Sequence, residues 1–316
     1  MELSREQLGF FRANGYLILE GILDPELCAR ARERMWAALP DSSRMRPDDP
    51  SSHIGPIPLD ESSTDSLHIR DGFRWQLREI GTDPLMIDLC YSASLRAVAQ
   101  QLLGGELREP VVNGVPMGSH GPAWPGGPTD PAEGTEGARG IYCTLPYGNR
   151  AREPDQCHTD GHPFNLGMVG LIDDVPEDGG AFKIWPGSHR RLFPHFLLRY
   201  DQPRIPYYEH LPTLRGIVHT QGYLDEIERL NQEPPVECWG RAGDVVLWHH
   251  RLAHMAGHNY SEVIRWAVLA DFCRTDLDAC RTHPAQDPMW ADWSEALQGA
   301  DEAWSDDLAR AQRLPG

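Results

Sequence analysis

The chain is short of positive charge and nearly without lysine. Lys183 is its only lysine, and 29 Lys and Arg stand against 47 Asp and Glu in 316 residues, for a formal net charge of −18. With a pI near 5.1, it has no general attraction for nucleic acid or an anionic membrane surface, both of which reward basic patches. The seven cysteines (Cys28, Cys90, Cys143, Cys157, Cys238, Cys273, Cys280) are odd in number and include no C-x-x-C. That pattern excludes a disulfide scaffold and a zinc knuckle, and it fits a reducing cytoplasm. No apolar run approaches the length that spans a bilayer, and the opening Met1-Glu-Leu-Ser-Arg-Glu6 is too charged for a secretory leader. The expectation is a cytoplasmic protein that builds its own core, as one domain over residues 1–316.

What is present begins with helices. Ser4-Arg-Glu-Gln7 has the form of a capping box, Leu8 and Phe11 supply an apolar stripe, and Gly15 ends the helix before a short strand, Tyr16 to Leu19. Asp24-Pro25 starts a second helix towards Leu39, with Leu27, Ala31 and Met35 on one face. Residues 40–60 read as loop, Asp83-Pro84 opens another helix, and Ser92 to Leu103 continues helical up to Gly104-Gly105. These make a helical flank over 1–105. The stretch 111–140 is dense in Gly and Pro and is either a lid or mobile padding.

From there the pattern turns to β. Strands are predicted at 141–145, 166–172, 181–185, 236–239, 245–250 and 265–272, with tight turns at 176–180 and 241–244. An insertion at 190–235 contains a helix near 224–230, and a helical, acidic tail covers 285–316, with Trp290, Trp293 and Trp304 packing against the body. Short strands and tight turns behind a helical flank predict a mainly β fold with flanking helices. Its layout is a double-stranded β-helix, the jelly-roll of cupin-like barrels, over 141–275.

The chemistry concentrates in Cys157-His158-Thr159-Asp160-Gly161-His162. His158 and Asp160 are two residues apart, so on an extended strand both point to one face. One imidazole and one carboxylate make half a metal site. A third ligand must come from elsewhere, and His249, His250, His254 and His258 all compete for that role. Two histidines and one carboxylate form a facial triad of the kind that holds non-haem Fe(II) with open positions. The bland alternative for each residue stands beside this reading. An H-x-D tripeptide alone is common by chance, His189 reads as part of a Pro-Gly-Ser-His turn, and Trp185 as core or pocket wall. His162 and Phe164 follow the metal pair closely enough to line the substrate side, with a surface role for His162 equally open.

Several fragments in order are similar to the phytanoyl-CoA dioxygenase family of Fe(II)/2-oxoglutarate oxygenases. Leu8-Gly-Phe-Phe-Arg-Ala-Asn-Gly-Tyr-Leu-Ile-Leu19 resembles that family's start, Gly180 to His189 its Gly/Pro-Gly-Ser-His stretch, and His158-x-Asp160 its metal pair. His254-Met-Ala-Gly257-His-Asn259, with Arg265 eleven residues after the His, resembles its distal motif. The resemblance implies His158, Asp160 and His254 as Fe(II) ligands, with no catalytic group beyond them, and Arg265 as the clamp for 2-oxoglutarate. O2 is the other cosubstrate, and succinate and CO2 the coproducts. Because eleven is odd, the turn at 257–261 is expected to reset the strand phase so that His254 and Arg265 face one cavity from neighbouring antiparallel strands. A guanidinium there offers a planar fork for a carboxylate. Ala256 stands where the family has Ser, so Tyr142, Thr144 or Arg139 is expected to supply a further donor to the cosubstrate.

The implied reaction oxidises an unactivated C–H of a small molecule. The acidic chain favours a free specialised metabolite over a CoA thioester, although Arg190, Arg191, Arg199 and Arg204, near the expected barrel mouth, offer a local patch for phosphates. A cupin-like metal-binding protein without oxygenase activity is the alternative, which has no need of Arg265. A halogenase is the other, and it needs Gly or Ala at position 160. Oligomeric state is not legible.

Overall fold

The computed structural model describes residues 1–58, 67–70, 72–114, 135–160, 164–198, 217–277 and 289–302. Most of the 111–140 loop, His162, Arg199, Arg204, Cys280 and Trp304 lie outside these residues.

The helices are α1 (Arg5–Asn14), α2 (Pro25–Trp36), α3 (Pro84–Cys90), α4 (Ala93–Leu103), α5 (Ser188–Leu192), α6 (Gln221–Leu230) and α7 (Glu295–Gln298). Their starts are those that the caps dictate. Ser4 and Gln7 close a reciprocal capping box on α1, and the Asp24 carboxylate accepts from the N–H groups of Glu26 and Leu27 before α2. α2 stops at Trp36, short of Leu39, and buries Cys28, Ala31 and Met35, while Leu27 is only half-buried. The expected long helical tail is, among the described residues, the single turn α7. Trp290 and Trp293 do pack against the body, on Phe11 at 6.3 and 5.6 Å between ring centroids.

The strands are β1 (Tyr16–Leu19), β2 (Leu67–Arg70), β3 (Arg74–Leu77), β4 (Glu109–Pro110), β5 (Thr135–Glu136), β6 (Gly140–Thr144) and β7 (Leu166–Leu171). After them come β8 (Phe182–Ile184), β9 (Phe196–Leu198), β10 (Ile217–His219), β11 (Val236–Cys238), β12 (Val245–His249), β13 (His254–Ala256) and β14 (Arg265–Phe272). One seven-stranded sheet runs β1-β12-β7-β14-β6-β3-β2, every pair antiparallel, and a three-stranded antiparallel sheet runs β11-β8-β13. Together they are the double-stranded β-helix, with helices on the outer face of the large sheet. β9 and β10 pair with each other inside the 190–235 insertion, where only a helix was foreseen.

Side-chain alternation decides what each face does. On β14, Trp266, Val268, Ala270 and Phe272 join the helix-side core, where Trp36, Trp75 and Trp266 meet at 5.1–5.5 Å and Tyr91 meets Phe272 edge-on at 5.4 Å. The opposite parity, Arg265 and Asp271, faces the barrel interior. A second cluster of Cys157, Trp185, Leu192, Tyr223, Leu230, Ala253 and Met255 fills the space between the small sheet and α6.

The expectation that His254 and Arg265 sit on neighbouring strands is corrected by this topology. β13 belongs to the small sheet and β14 to the large one, so the two residues face each other across the barrel. The turn between them is where the chain crosses over. It is held by Asn259, fully buried, whose Nδ2 donates to the carbonyls of Thr144 and Val263 and whose Oδ1 accepts from Ser261.

Candidate metal centre

His158 and His254 form a closely bonded antiparallel pair in which each backbone N–H donates to the other's carbonyl, at 3.0 and 2.9 Å. This bridge lays the His158-Thr159-Asp160 segment beside β13. It is fastened behind by α6, as Tyr223 Oη and Thr159 Oγ1 are hydrogen-bonded at 2.7 Å and the Asn231 side chain accepts from the Cys157 N–H. With Thr159 turned to that side, His158 and Asp160 point the other way. One ligand atom each from His158, Asp160 and His254 falls within 4.8 Å of the others, and this is the only such cluster of His, Cys, Asp and Glu among the described residues.

Asp160 Oδ1 is the convergence point, 3.7 Å from His158 Nε2 and 3.5 Å from His254 Nε2. The set suits a divalent metal. His254 Nδ1 donates to the Leu252 carbonyl at 2.8 Å, which places the ring proton there and leaves the Nε2 lone pair facing the carboxylate. Two acceptors aimed at each other call for a cation between them. Cis ligands on metal bonds of ~2.1 Å stand ~3.0 Å apart, so only slight contraction is needed. The side chain of His254 is 4 % exposed and that of His158 57 %, so the site opens on the His158 side.

The rival histidines go elsewhere. His250 lies behind the site, its Nε2 3.3 Å from the Asp160 carbonyl and its ring 4.2 Å from Phe164. His258 faces Glu153 at 3.7 Å. His249 stacks on Trp293 and meets His189 at 5.4 Å. Burial, reinforced by nearby positive charge, pushes both of these rings below the usual histidine range, His189 to about 3.

Across the barrel, Arg74, Thr144 and Arg265 stand in one register row over β3, β6 and β14. Thr144 Oγ1 accepts from Arg265 Nη2 at 2.9 Å and from Arg74 Nη1 at 3.0 Å. The other Arg265 donors go to the carbonyls of Gly180 and Tyr142, both at 3.1 Å. Arg265 is 4 % exposed and every acceptor it has among the described residues is neutral. Burial, and then repulsion from Arg74, lower its pKa to about 10. A buried cation in that condition is a seat for an anion. Thr144 is thus part of the row. Tyr142 contributes its carbonyl, while its ring lies under the Arg78 guanidinium at 5.9 Å.

Arg139 is corrected. Its Nη1 donates to Asp160 Oδ2 at 2.8 Å, and its Nε and Nη2 fork onto Asp271 at 2.9 and 2.5 Å, which commits the guanidinium to carboxylates of the protein rather than to a cosubstrate. Burial opposes its charge, but Asp271 and Asp160 more than offset this and hold it firmly protonated. Of the two readings for Trp185, core or pocket wall, the structure takes the first. At 2 % exposure it is core against α6, its Nε1 donating to the Glu233 carbonyl. Phe164, 1 % exposed, packs on Trp248 at 6.1 Å and beneath Arg139 at 5.1 Å, and so backs the site without lining an open pocket.

Four residues of the site escaped the sequence. Arg74 and Asp271 come from the inner parity of their strands. Phe182 and Trp248 form its floor, 5.2 and 5.6 Å from the His254 ring. Trp248 fits because its strand partner is Gly167, where a Cβ would meet the indole at 2.2 Å. An inward Asp opposite a glycine, Asp271 across from Gly167, was the available signal.

Residues 155–267 match the family model described as Phytanoyl-CoA dioxygenase. No curated protein sequence matches the chain. Similar solved structures include the non-heme alpha ketoglutarate dependent carbocyclase SnoK from nogalamycin biosynthesis, at 21 % identity over 90 % of this chain and 93 % of that one, TM-score 0.48. EctD from S. alaskensis with bound Fe is 19 % identical over 86 % and 77 %, TM-score 0.48. HygX from Streptomyces hygroscopicus with nickel, 2-oxoglutarate and hygromycin B bound is 15 % identical over 86 % and 88 %, TM-score 0.46.

Proposed function

Because the chain carries over residues 155–267 a region of the phytanoyl-CoA dioxygenase family, we propose that it is an Fe(II)- and 2-oxoglutarate-dependent dioxygenase that hydroxylates or otherwise oxidises an unactivated C–H of a small organic molecule. His158, Asp160 and His254 would hold the iron, and Arg265 with Thr144 the distal carboxylate of 2-oxoglutarate. Bound iron, with 2-oxoglutarate and O2, supplies the oxidising power, and succinate and CO2 leave as coproducts. The work of the chain is positional. The His158–His254 bridge fixes two ligands on one strand pair, the buried floor of Trp248 and Phe182 keeps water from that side, and the open His158 side admits the substrate.

One observation carries this reading: Arg265, buried on β14 of the large sheet with only neutral acceptors among the described residues, stands opposite the small sheet whose β13 carries His254 of the His/Asp/His cluster. A protein that merely stores a metal gains nothing from a buried cation there, and a halogenase needs position 160 free of its carboxylate. We keep the substrate as a free specialised metabolite rather than a CoA thioester. Of the arginines considered for phosphates, Arg190 is paired with Glu302 and Arg191 with Glu226 and Glu233, which leaves them poor partners for further anions. A single domain over 1–316 is supported by β1 pairing with β12 and by Arg12 donating to the carbonyls of Gln298 and Ala300. Among the described residues, six buried free thiols support a cytoplasmic setting, and no helix there is long and apolar enough to cross a membrane.

The test is succinate release from 2-oxoglutarate by the Fe(II) protein under air, across metabolite pools and a panel of acyl-CoA esters beside the matching free acids. Turnover that Asp160→Ala abolishes is expected with free metabolites. Turnover confined to CoA esters refutes the substrate reading, and release that survives Asp160→Ala refutes the site.

A further inference from the structure

The two oxygens of Asp160 have different partners. Oδ1 faces both imidazoles, at 3.7 and 3.5 Å, while Oδ2 accepts from Arg139 at 2.8 Å. Arg139 is in turn gripped by Asp271, fully buried on the inner face of β14, through a two-point fork. It reaches this position because Gly140 takes φ +112°, a conformation that only glycine adopts freely, and the reversal of parity there turns Arg139 inward although Ile141 and Cys143 point to the helix-side core. The guanidinium rests beside Phe164 and Trp248, at 5.1 and 5.8 Å from their centroids, so it cannot swing aside without disturbing the floor.

We propose that Arg139, held by Asp271, is a positioning residue that occupies the second oxygen of Asp160 and so limits that carboxylate to one metal bond. A free carboxylate can chelate through both oxygens and take a coordination position that the cosubstrates need. An arginine alone would be a poor remedy, because its whole charge would compete with the metal for Asp160. Asp271 removes that objection. Its buried negative charge neutralises the guanidinium, so Asp160 keeps a hydrogen bond for orientation and its charge for the cation. The Asp160–Arg139–Asp271 chain also ties the metal-binding segment to the large sheet, where β14 carries both Asp271 and Arg265. The metal seat, through Arg139, and the proposed cosubstrate seat are therefore both anchored to one strand.

The inference rests on the metal reading above, and the experiment separates the two. Co(II) is titrated anaerobically into the full-length protein, with affinity read by calorimetry and coordination by visible absorption. Wild type binding Co(II) and Asp160→Ala failing to do so is the expected baseline. The Arg139→Met/Asp271→Leu double variant removes the buried pair together, a change that cores tolerate. It should bind Co(II) about 10- to 100-fold more weakly and show a changed ligand-field spectrum, at an unchanged thermal midpoint for the metal-free protein. Asp271→Asn, nearly isosteric, carries the test if the double variant does not fold. It turns the full charge of Arg139 onto Asp160 and should weaken Co(II) by about 10-fold. Wild-type affinity and spectrum in a folded double variant, or in Asp271→Asn, overturn the positioning role alone. A wild type that binds no Co(II), or an Asp160→Ala that binds it as well, overturns the metal site and this inference with it.

Discussion

Arg265→Met is the substitution whose two effects should come apart. The folded-state pKa of Arg265 is lowered from the ordinary arginine range to about 10, so the fold disfavours its charged form. At pH 7.5 the residue is charged in both folded and unfolded chains, and the whole penalty, roughly 3 kcal/mol, weighs on the folded protein. Methionine removes that penalty but strips donors from the carbonyls of Gly180 and Tyr142, at about 1–2 kcal/mol each. Thr144 Oγ1 keeps its bond from Arg74. The two contributions nearly cancel, and the thermal midpoint of the cosubstrate-free protein should move by no more than a few degrees. Cosubstrate binding has no such compensation. A carboxylate buried beside neutral carbonyls loses about 3 kcal/mol or more, a drop in affinity of at least 100-fold. The assay is thermal denaturation of the anaerobic Co(II) protein with and without 2-oxoglutarate. At 100 times Kd the wild type gains about 2.7 kcal/mol, worth about 5 °C in a chain this long, whereas the variant should gain less than about 1 °C. A variant that keeps the full shift refutes the assignment of the anion seat.

Three further outcomes follow from the geometry. His254→Ala should lose anaerobic Co(II) binding whereas His250→Ala keeps it, since His250 reaches the Asp160 backbone and is outside the ligand cluster; the reverse pattern would show the wrong histidine to have been chosen. Gly167→Ala drives a Cβ to within 2.2 Å of the Trp248 indole, should cost about 1–3 kcal/mol by overpacking, and should weaken metal binding through the displaced floor. A midpoint and Co(II) affinity equal to wild type would mean the indole moves freely. The buried His189 and His249 hold their pKa below the unfolded value near 6.5, so the unfolded chain takes up protons first; stability is complete above that pH and is lost as pH falls towards the folded values. The two together should remove about 3 kcal/mol by pH 5.5, visible as a midpoint lower than at pH 7.5 and absent in a variant where both are replaced by glutamine.

The sequence made legible whatever obeys local rules. The capping box at Ser4, the Asp-Pro helix starts and the strand at 265–272 stand where alternation and caps placed them. β3 was missed for an instructive reason. Arg74 and Gln76 are the inward residues of a barrel whose interior is polar, and the apolar Trp75 and Leu77 face the helices, so four residues of mixed character gave no hydrophobic signal of their own. β13 was missed because three residues are too few to show a period. At the site, His158, Asp160 and His254 fall in one cluster as spacing and resemblance suggested, yet the partner of Arg139 could not be foreseen. That depends on the parity break at Gly140, which lies in a backbone dihedral and not in a residue pattern. The sheet exchange between His254 and Arg265 is of the same kind, since an odd interval is compatible with either a phase reset or a crossover.

The pairing of Tyr16 with Trp248 has a consequence for how the protein is made. β1 is apolar and wholly buried, and its only partner strand among the described residues lies about 230 residues downstream. At ribosomal speeds of about 5–20 residues per second, that strand waits on the order of 10–50 s for β12 to emerge. Until then Tyr-Leu-Ile-Leu is an unclaimed edge in the nascent chain, with α1 and α2 as its nearest shelter. Aggregation during synthesis should therefore respond to changes in the first forty residues, and to chaperone supply, far more than to changes around the metal. A chain cut short before Val245 leaves the Tyr-Leu-Ile-Leu edge with nothing to pair.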